Sequence, residues 1–225
     1  MKTNKIEAKG FTLLELLIVI AILAILSVTL VLVLNPAESL RKSRDTQRMS
    51  DLATLKTALG LYITTIGSPD LTTSVPDNNL CYLNGAGAKT VFYSKDGITD
   101  ADGVAAGVPS GSVVATTDGL GWLPVNLSAI VGGSPISNLP LDPSNTFDND
   151  SGGLGVASTA AAITNDALVY RYACNASNIT FELNAKLESV AFTTDDDKAA
   201  KDGGDNSRLY EIGTAVNILP GTDDF

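Results

Sequence analysis

The chain contains no histidine. That absence removes in one step the Ser-His-Asp triad, the histidine-activated cysteine and the HExxH zinc site. Only two cysteines occur, Cys81 and Cys174, 93 residues apart and without metal-ligand spacing. Aromatic residues are scarce, and so are basic residues beyond the first quarter of the chain. From Thr57 onward 7 basic residues face 20 acidic ones, a balance of −13. A surface that acidic repels phosphate backbones, which argues against sequence-independent nucleic-acid binding by this part. No phosphate-binding glycine loop and no nucleophile motif is visible, so an enzyme is not expected.

What is present is a globular composition, 44% hydrophobic, in 225 residues, enough for one or two domains. One apolar run dominates. Residues 11–34 are interrupted only by Thr12, Glu15, Ser27 and Thr29. As a helix this run would extend about 36 Å, enough to cross a hydrocarbon core of about 30 Å. It is too long and unbroken for the apolar region of a secretory signal, and the polar segment NPAESLRKSR follows it in place of a small-residue cleavage site. Lysines 2, 5 and 9 flank one end, and Arg41, Lys42, Arg44 and Arg48 follow the other. Long C-terminal domains translocate largely regardless of such charge, so the expected topology is N-terminus in, C-terminus out. The basic cluster reads as a solvated or headgroup-contacting face.

At Asn35-Pro36 the run stops. Pro36 lacks the amide that a continuous helix needs, so it either kinks the helix or opens a new one with Asn35 as N-cap and Glu38 in the first turn. Leu52, Leu55, Leu59, Tyr62 and Ile66 then recur every three or four residues, an apolar stripe that predicts one docking face, with Arg44, Asp51 and Lys56 opposite. Gly67-Ser68-Pro69 ends the helix near Ile66. Beyond it, Leu168–Cys174, a turn at 175–178 and the alternating residues Thr180–Glu188 predict a hairpin with one buried and one wet face. A last strand is expected near Leu209–Leu219. The expected fold class is α+β, a long N-terminal helix packed on a small antiparallel sheet. The expected parts are a leader over 1–10, a membrane or filament-core helix over 11–34, an amphipathic helix over 35–66 and a head over 67–225.

The segment Lys9-Gly10-Phe11-Thr12-Leu13-Leu14-Glu15, with its basic leader and long apolar continuation, resembles the start of bacterial type IV pilins and pseudopilins. The resemblance implies cleavage between Gly10 and Phe11 by a prepilin peptidase and N-methylation of Phe11. It implies insertion in the cytoplasmic membrane as a single-pass precursor, then delivery by an inner-membrane assembly platform into a homo-oligomeric filament, extracellular or within the cell envelope. Pseudopilin or minor-pilin roles in secretion, DNA uptake or adhesion carry the same signal. A reading of another class is a monomeric membrane-anchored binding domain with an uncut anchor.

Glu15 is the anomaly of the run, since a carboxylate in hydrocarbon costs about 2.5–3.5 kcal/mol. Cleavage would create an amine on Phe11, and pairing the two charges removes most of the cost of each. In the family the partner is the amine of a neighbouring subunit, which makes Glu15 the assembly residue. Cys81 and Cys174 are either one disulfide or two buried thiols, and an exported head favours the disulfide. No cofactor is expected beyond a candidate Ca²⁺ site at Asp202 and Asp205, in the Asp-rich segment 193–207, where major pseudopilins of type II secretion bind calcium in a comparable loop.

Overall fold

The computed structural model describes residues 10–71, 90–94, 105–106, 115–145, 165–175, 177–219 and 221. The chain divides into two compact units, Met1–Leu40 and Arg41–Phe225.

In the first unit, helix α1 (Leu13–Leu34) consists almost wholly of leucine, isoleucine, valine and alanine. Its 22 residues reach about 33 Å, and none of Leu13–Leu30 is buried. The two hydroxyls inside it are satisfied by the helix itself: Ser27 Oγ donates to the Leu23 carbonyl at 2.7 Å and Thr29 Oγ1 to Leu26 at 2.8 Å. Such internal bonding is what an apolar surrounding requires of a polar side chain. The helix ends at Asn35, whose backbone is left-handed (φ 38°, ψ 71°), and α2 (Pro36–Thr65) starts on the next residue. Of the two readings of Asn-Pro the structure therefore takes the restart. The Asn35 carbonyl accepts the amides of Glu38 and Ser39 at 3.1 and 3.2 Å, while Pro36 has no amide to leave unpaired. One unbroken helix over residues 11–66 is not formed.

The second unit is a sheet of order β2-β1-β3-β4-β5, formed by β1 (Thr90–Tyr93), β2 (Ala105–Ala106), β3 (Tyr170–Asn175), β4 (Thr180–Ala185) and β5 (Tyr210–Gly213). Four strands pair antiparallel; only the two-residue β2 runs parallel to β1, a departure from the purely antiparallel expectation. The β3–β4 turn is held by Asn175, whose Oδ1 accepts the amides of Ser177 and Asn178 at 3.0 and 3.3 Å. The α2 stripe of Leu52, Leu55, Leu59 and Tyr62 is buried against Tyr170, Tyr172, Phe181 and Leu183, with Trp122 and Leu127 closing the layer. Each leucine so buried contributes about 1.5–3 kcal/mol of transfer free energy.

Three expectations are corrected here. The second face of the hairpin is not wet: Glu182 and Asn184 are fully buried. That face lies under a second apolar cluster to which Val91, Tyr93 and Val169 contribute, together with Leu209, Ile218 and Leu219 from the end of the chain. Asp51 does not sit on a solvent face, since its Oδ2 accepts the Tyr170 hydroxyl at 2.8 Å. Finally, half of the basic cluster is absorbed by the fold. Arg48 is fully buried and forks onto Asp142 (Nε–Oδ2 2.7 Å, Nη2–Oδ1 2.9 Å), while its Nη1 donates to Asp45 at 2.8 Å and Glu188 at 2.6 Å. Arg44 meets Glu188 through two bonds of 2.9 and 3.1 Å. Solvated arginines need no partners; besides the nearby Asp45, these have partners 94 to 144 residues away.

Candidate functional site

Gly10 and Phe11 precede the first turn of α1, and Phe11 is 91% exposed. Thr12 is the N-cap, with extended backbone (φ −76°, ψ 151°). Its hydroxyl accepts the Glu15 amide at 3.2 Å, and Glu15 Oε2 in return accepts the Thr12 amide and hydroxyl, each at 2.8 Å. This reciprocal box satisfies donors that the first helical turn leaves without intrahelical partners. It also turns the carboxylate back along the chain, toward the Gly10–Phe11 bond. The nitrogen of Phe11 is one residue from the Thr12 amide that Oε2 already holds. Sequence reasoning singled out Glu15 but missed Thr12; the signal was there, a threonine three residues before a glutamate at the head of an apolar run.

The two candidate calcium residues have different surroundings. Asp202 spends its carboxylate on the backbone, with Oδ1 on the Gly204 amide at 2.8 Å and Oδ2 on the Glu211 amide at 2.7 Å, while Asp205 is exposed. Among the described residues no three acidic, cysteine or histidine side chains gather in a metal-binding group. Cys174 is fully buried on β3, and Cys81 lies outside the described residues.

The most perturbed electrostatics lies under the C-terminal segment. Glu182 on β4 and Glu211 on β5 are both buried, and the Asn184 amide nitrogen donates to both, at 2.9 and 3.4 Å. Glu182 Oε2 accepts the amides of Ile218 and Leu219 at 2.7 and 3.2 Å, and Glu211 Oε2 accepts that of Asn206 at 3.0 Å. The pair pegs residues 206–219 onto the sheet. A Cβ on Gly204 would sit 1.7 Å from Glu211 Oε2, so only glycine allows this approach. Burial, with the Glu182 charge beside it, pushes Glu211 up to about 9, and burial raises Glu182 too. Two carboxylates so placed share a proton at neutral pH.

The folded head thus holds a proton that an unfolded chain releases near pH 4.5. The pair's stabilisation is complete below that pH and is lost progressively as pH climbs toward about 9. Glu211→Gln supplies a permanent amide donor to Glu182. Its Tm should match the wild type near pH 5 and exceed it by about 5 °C at pH 8. Near-UV circular dichroism against temperature measures this, and an unchanged slope of Tm with pH would refute the shared proton.

Residues 7–31 match the family model of the prokaryotic N-terminal methylation motif. The chain therefore carries the prepilin-type signal of type IV pilins and pseudopilins, on an apolar helix that is followed in the sequence by an α+β unit. Neither the comparison with curated proteins nor that with solved structures gave a match.

Proposed function

We propose that this protein is a structural subunit of a type IV pilus-like filament. A prepilin peptidase removes residues 1–10, Phe11 is N-methylated, and an inner-membrane platform draws the subunit from the lipid into a homopolymer through α1. The observation that carries this reading is the methylation motif at 7–31 on a helix whose apolar surface is exposed over Leu13–Leu30. A helix with no covered face needs either lipid or other copies of itself. The precursor is then a single-pass membrane protein with the head outside, and the mature protein belongs to a surface or envelope filament. The Cys81–Cys174 disulfide belongs to the same reading; it is supported by Cys174 having no free thiol. Such a bridge would restrain the unfolded chain by about 4–5 kcal/mol.

Intact-mass and N-terminal peptide analysis of the chain from its native membrane tests the maturation step. The expected product begins at N-methylated Phe11 and is two protons lighter than its reduced form. Intact Met1 would instead favour the uncut anchor with a monomeric binding head. Electron microscopy of sheared filaments with peptide identification separates a major pilin, abundant in them, from a pseudopilin, absent from them.

A further inference from the structure

Three Asn-x-Ser/Thr triplets occur in the second unit: Asn126-Leu127-Ser128, Asn175-Ala176-Ser177 and Asn178-Ile179-Thr180. In an exported protein such a triplet is the acceptor pattern for an N-linked oligosaccharide, provided that it lies in an accessible surface loop. The pattern is short enough to arise by chance, so accessibility decides between the three.

The first triplet is closed. Asn126 bridges to Asp118 and has a buried carboxamide oxygen, Leu127 is fully buried, and Ser128 Oγ donates to the Thr117 carbonyl at 3.4 Å. The second is committed to the fold: Asn175 is half-buried at the end of β3, and its Oδ1 holds the β3–β4 turn. The third differs on each count. Asn178 is exposed and enters the turn only through its backbone amide. Its carboxamide and the hydroxyl of Thr180, the first residue of β4, make no hydrogen bond among the described residues. Ile179 between them has a left-handed backbone, φ 53°, which β-branched residues rarely adopt. A transferase that draws this tip out of its turn relieves strain there.

We propose that Asn178, at the tip of the β3–β4 hairpin, is an acceptor of N-linked oligosaccharide, with Thr180 as the hydroxyl residue that the transferase reads. The co-reactant is an oligosaccharide carried on a polyprenyl diphosphate. Asn178 Nδ2 bonds to the anomeric carbon of the first sugar, the bond from that carbon to the phosphate oxygen breaks, and polyprenyl diphosphate leaves with the electron pair. One proton passes from Nδ2 to a base of the transferase, and nothing is oxidised or reduced. An amide nitrogen is a weak nucleophile because its lone pair is delocalised into the carbonyl. The transferase must therefore grip and distort the carboxamide. Asn178 permits this, whereas the carboxamide of Asn175 is already engaged. The inference rests on the reading that the head is exported, and it adds a covalent modification of the head that assembly through α1 does not require.

Peptide mass spectrometry of the full-length chain from its native envelope tests this. The expected result is a sugar mass on the peptide containing Asn178, with fragment ions placing it on that residue, and unmodified Asn126 and Asn175. Asn178→Gln and Thr180→Ala should each abolish the modification, whereas Thr180→Ser, which keeps the hydroxyl, should retain it. Asn178 contributes only a backbone amide to the turn, so Asn178→Gln is expected to fold, and an unchanged near-UV spectrum establishes that it does. A native chain whose Asn178 carries no sugar overturns the site, and so does a sugar that survives Thr180→Ala. The N-terminus of the same sample keeps the two readings apart. A processed Phe11 terminus with a bare Asn178 overturns the acceptor and leaves the filament reading standing. A sugar on Asn178 of a chain that still begins at Met1 supports the acceptor and overturns the filament reading.

Discussion

Arg48→Ala is expected to lower the Tm of the head by about 10 °C or to abolish its folding outright. The guanidinium is fully buried and holds three carboxylates, Asp142 through a fork and Asp45 and Glu188 through Nη1. Burial by itself lowers the pKa of the guanidinium; the hydrogen bonds of Asp142, Glu188 and Asp45 and the charge of Asp142 outweigh it and raise the pKa. Deleting one member of such a network leaves buried charge uncompensated, at a cost of about 3–5 kcal/mol. Against a total stability of about 5–15 kcal/mol, that is a large fraction. Asp45 and Asp142 retain backbone donors: Asp45 takes the amides of Glu188 and Ser189, and Asp142 those of Ser144 and Asn145. These keep the loops partly tied and set the upper limit of the loss. Arg48→Lys, which keeps the charge and loses the fork, should fall between. Arg44→Ala should cost far less, because that side chain is one-third exposed and serves Glu188 alone among the acids. Near-UV thermal melts of the full-length chain report the head through Trp122 and the buried tyrosines without interference from α1. A shift of less than about 2 °C for Arg48→Ala would show that the network is incidental.

The same network shows where sequence reading stops. Elements built by local periodicity were legible: the stripe at Leu52, Leu55, Leu59 and Tyr62 is the buried face of α2, and the alternation in Thr180–Ala185 is strand β4. The fate of the polar half of each pattern was not. Glu182 and Asn184 alternate with apolar residues as solvent-facing positions do, yet they lie under the second apolar cluster, to which Leu209, Ile218 and Leu219 on either side of β5 contribute. Period two reports that a strand has two unlike faces; it does not report whether a second layer exists. Arg48 was misread for a related reason. A cluster of four basic residues just past an apolar helix has a sufficient local explanation in lipid headgroups. Its actual partners, Asp142 and Glu188, lie 94 and 140 residues away, in segments that carry no mark of the pairing. The methylation motif was legible because it is contiguous: a glycine, an aromatic residue and a glutamate fall within residues 10–15, ahead of a long apolar run.

For Glu15→Ala the expected result is a subunit that is inserted and trimmed normally but does not polymerise. The residues at the proposed cut, Gly10 and Phe11, are unchanged, so cleavage should proceed. The lost Thr12–Glu15 box costs the first turn of α1 about 1 kcal/mol, too little to prevent a 22-residue apolar helix from forming in lipid. The penalty falls on assembly. In the membrane the new amine of Phe11 can stay at the headgroups, but in a filament core of packed apolar helices it has no water. Without a carboxylate partner each added subunit bears a charge penalty of about 2.5–3.5 kcal/mol, which weakens every addition by roughly a hundredfold. Glu15→Gln separates the two roles of the side chain. A glutamine still accepts the Thr12 amide and so keeps the capping bond, but it brings no charge to the amine. If pairing drives assembly, both variants accumulate in the membrane fraction as processed subunits and yield no sheared filaments by electron microscopy. Normal filaments from Glu15→Gln would assign the residue to the helix cap alone, and normal filaments from Glu15→Ala would remove it from assembly altogether.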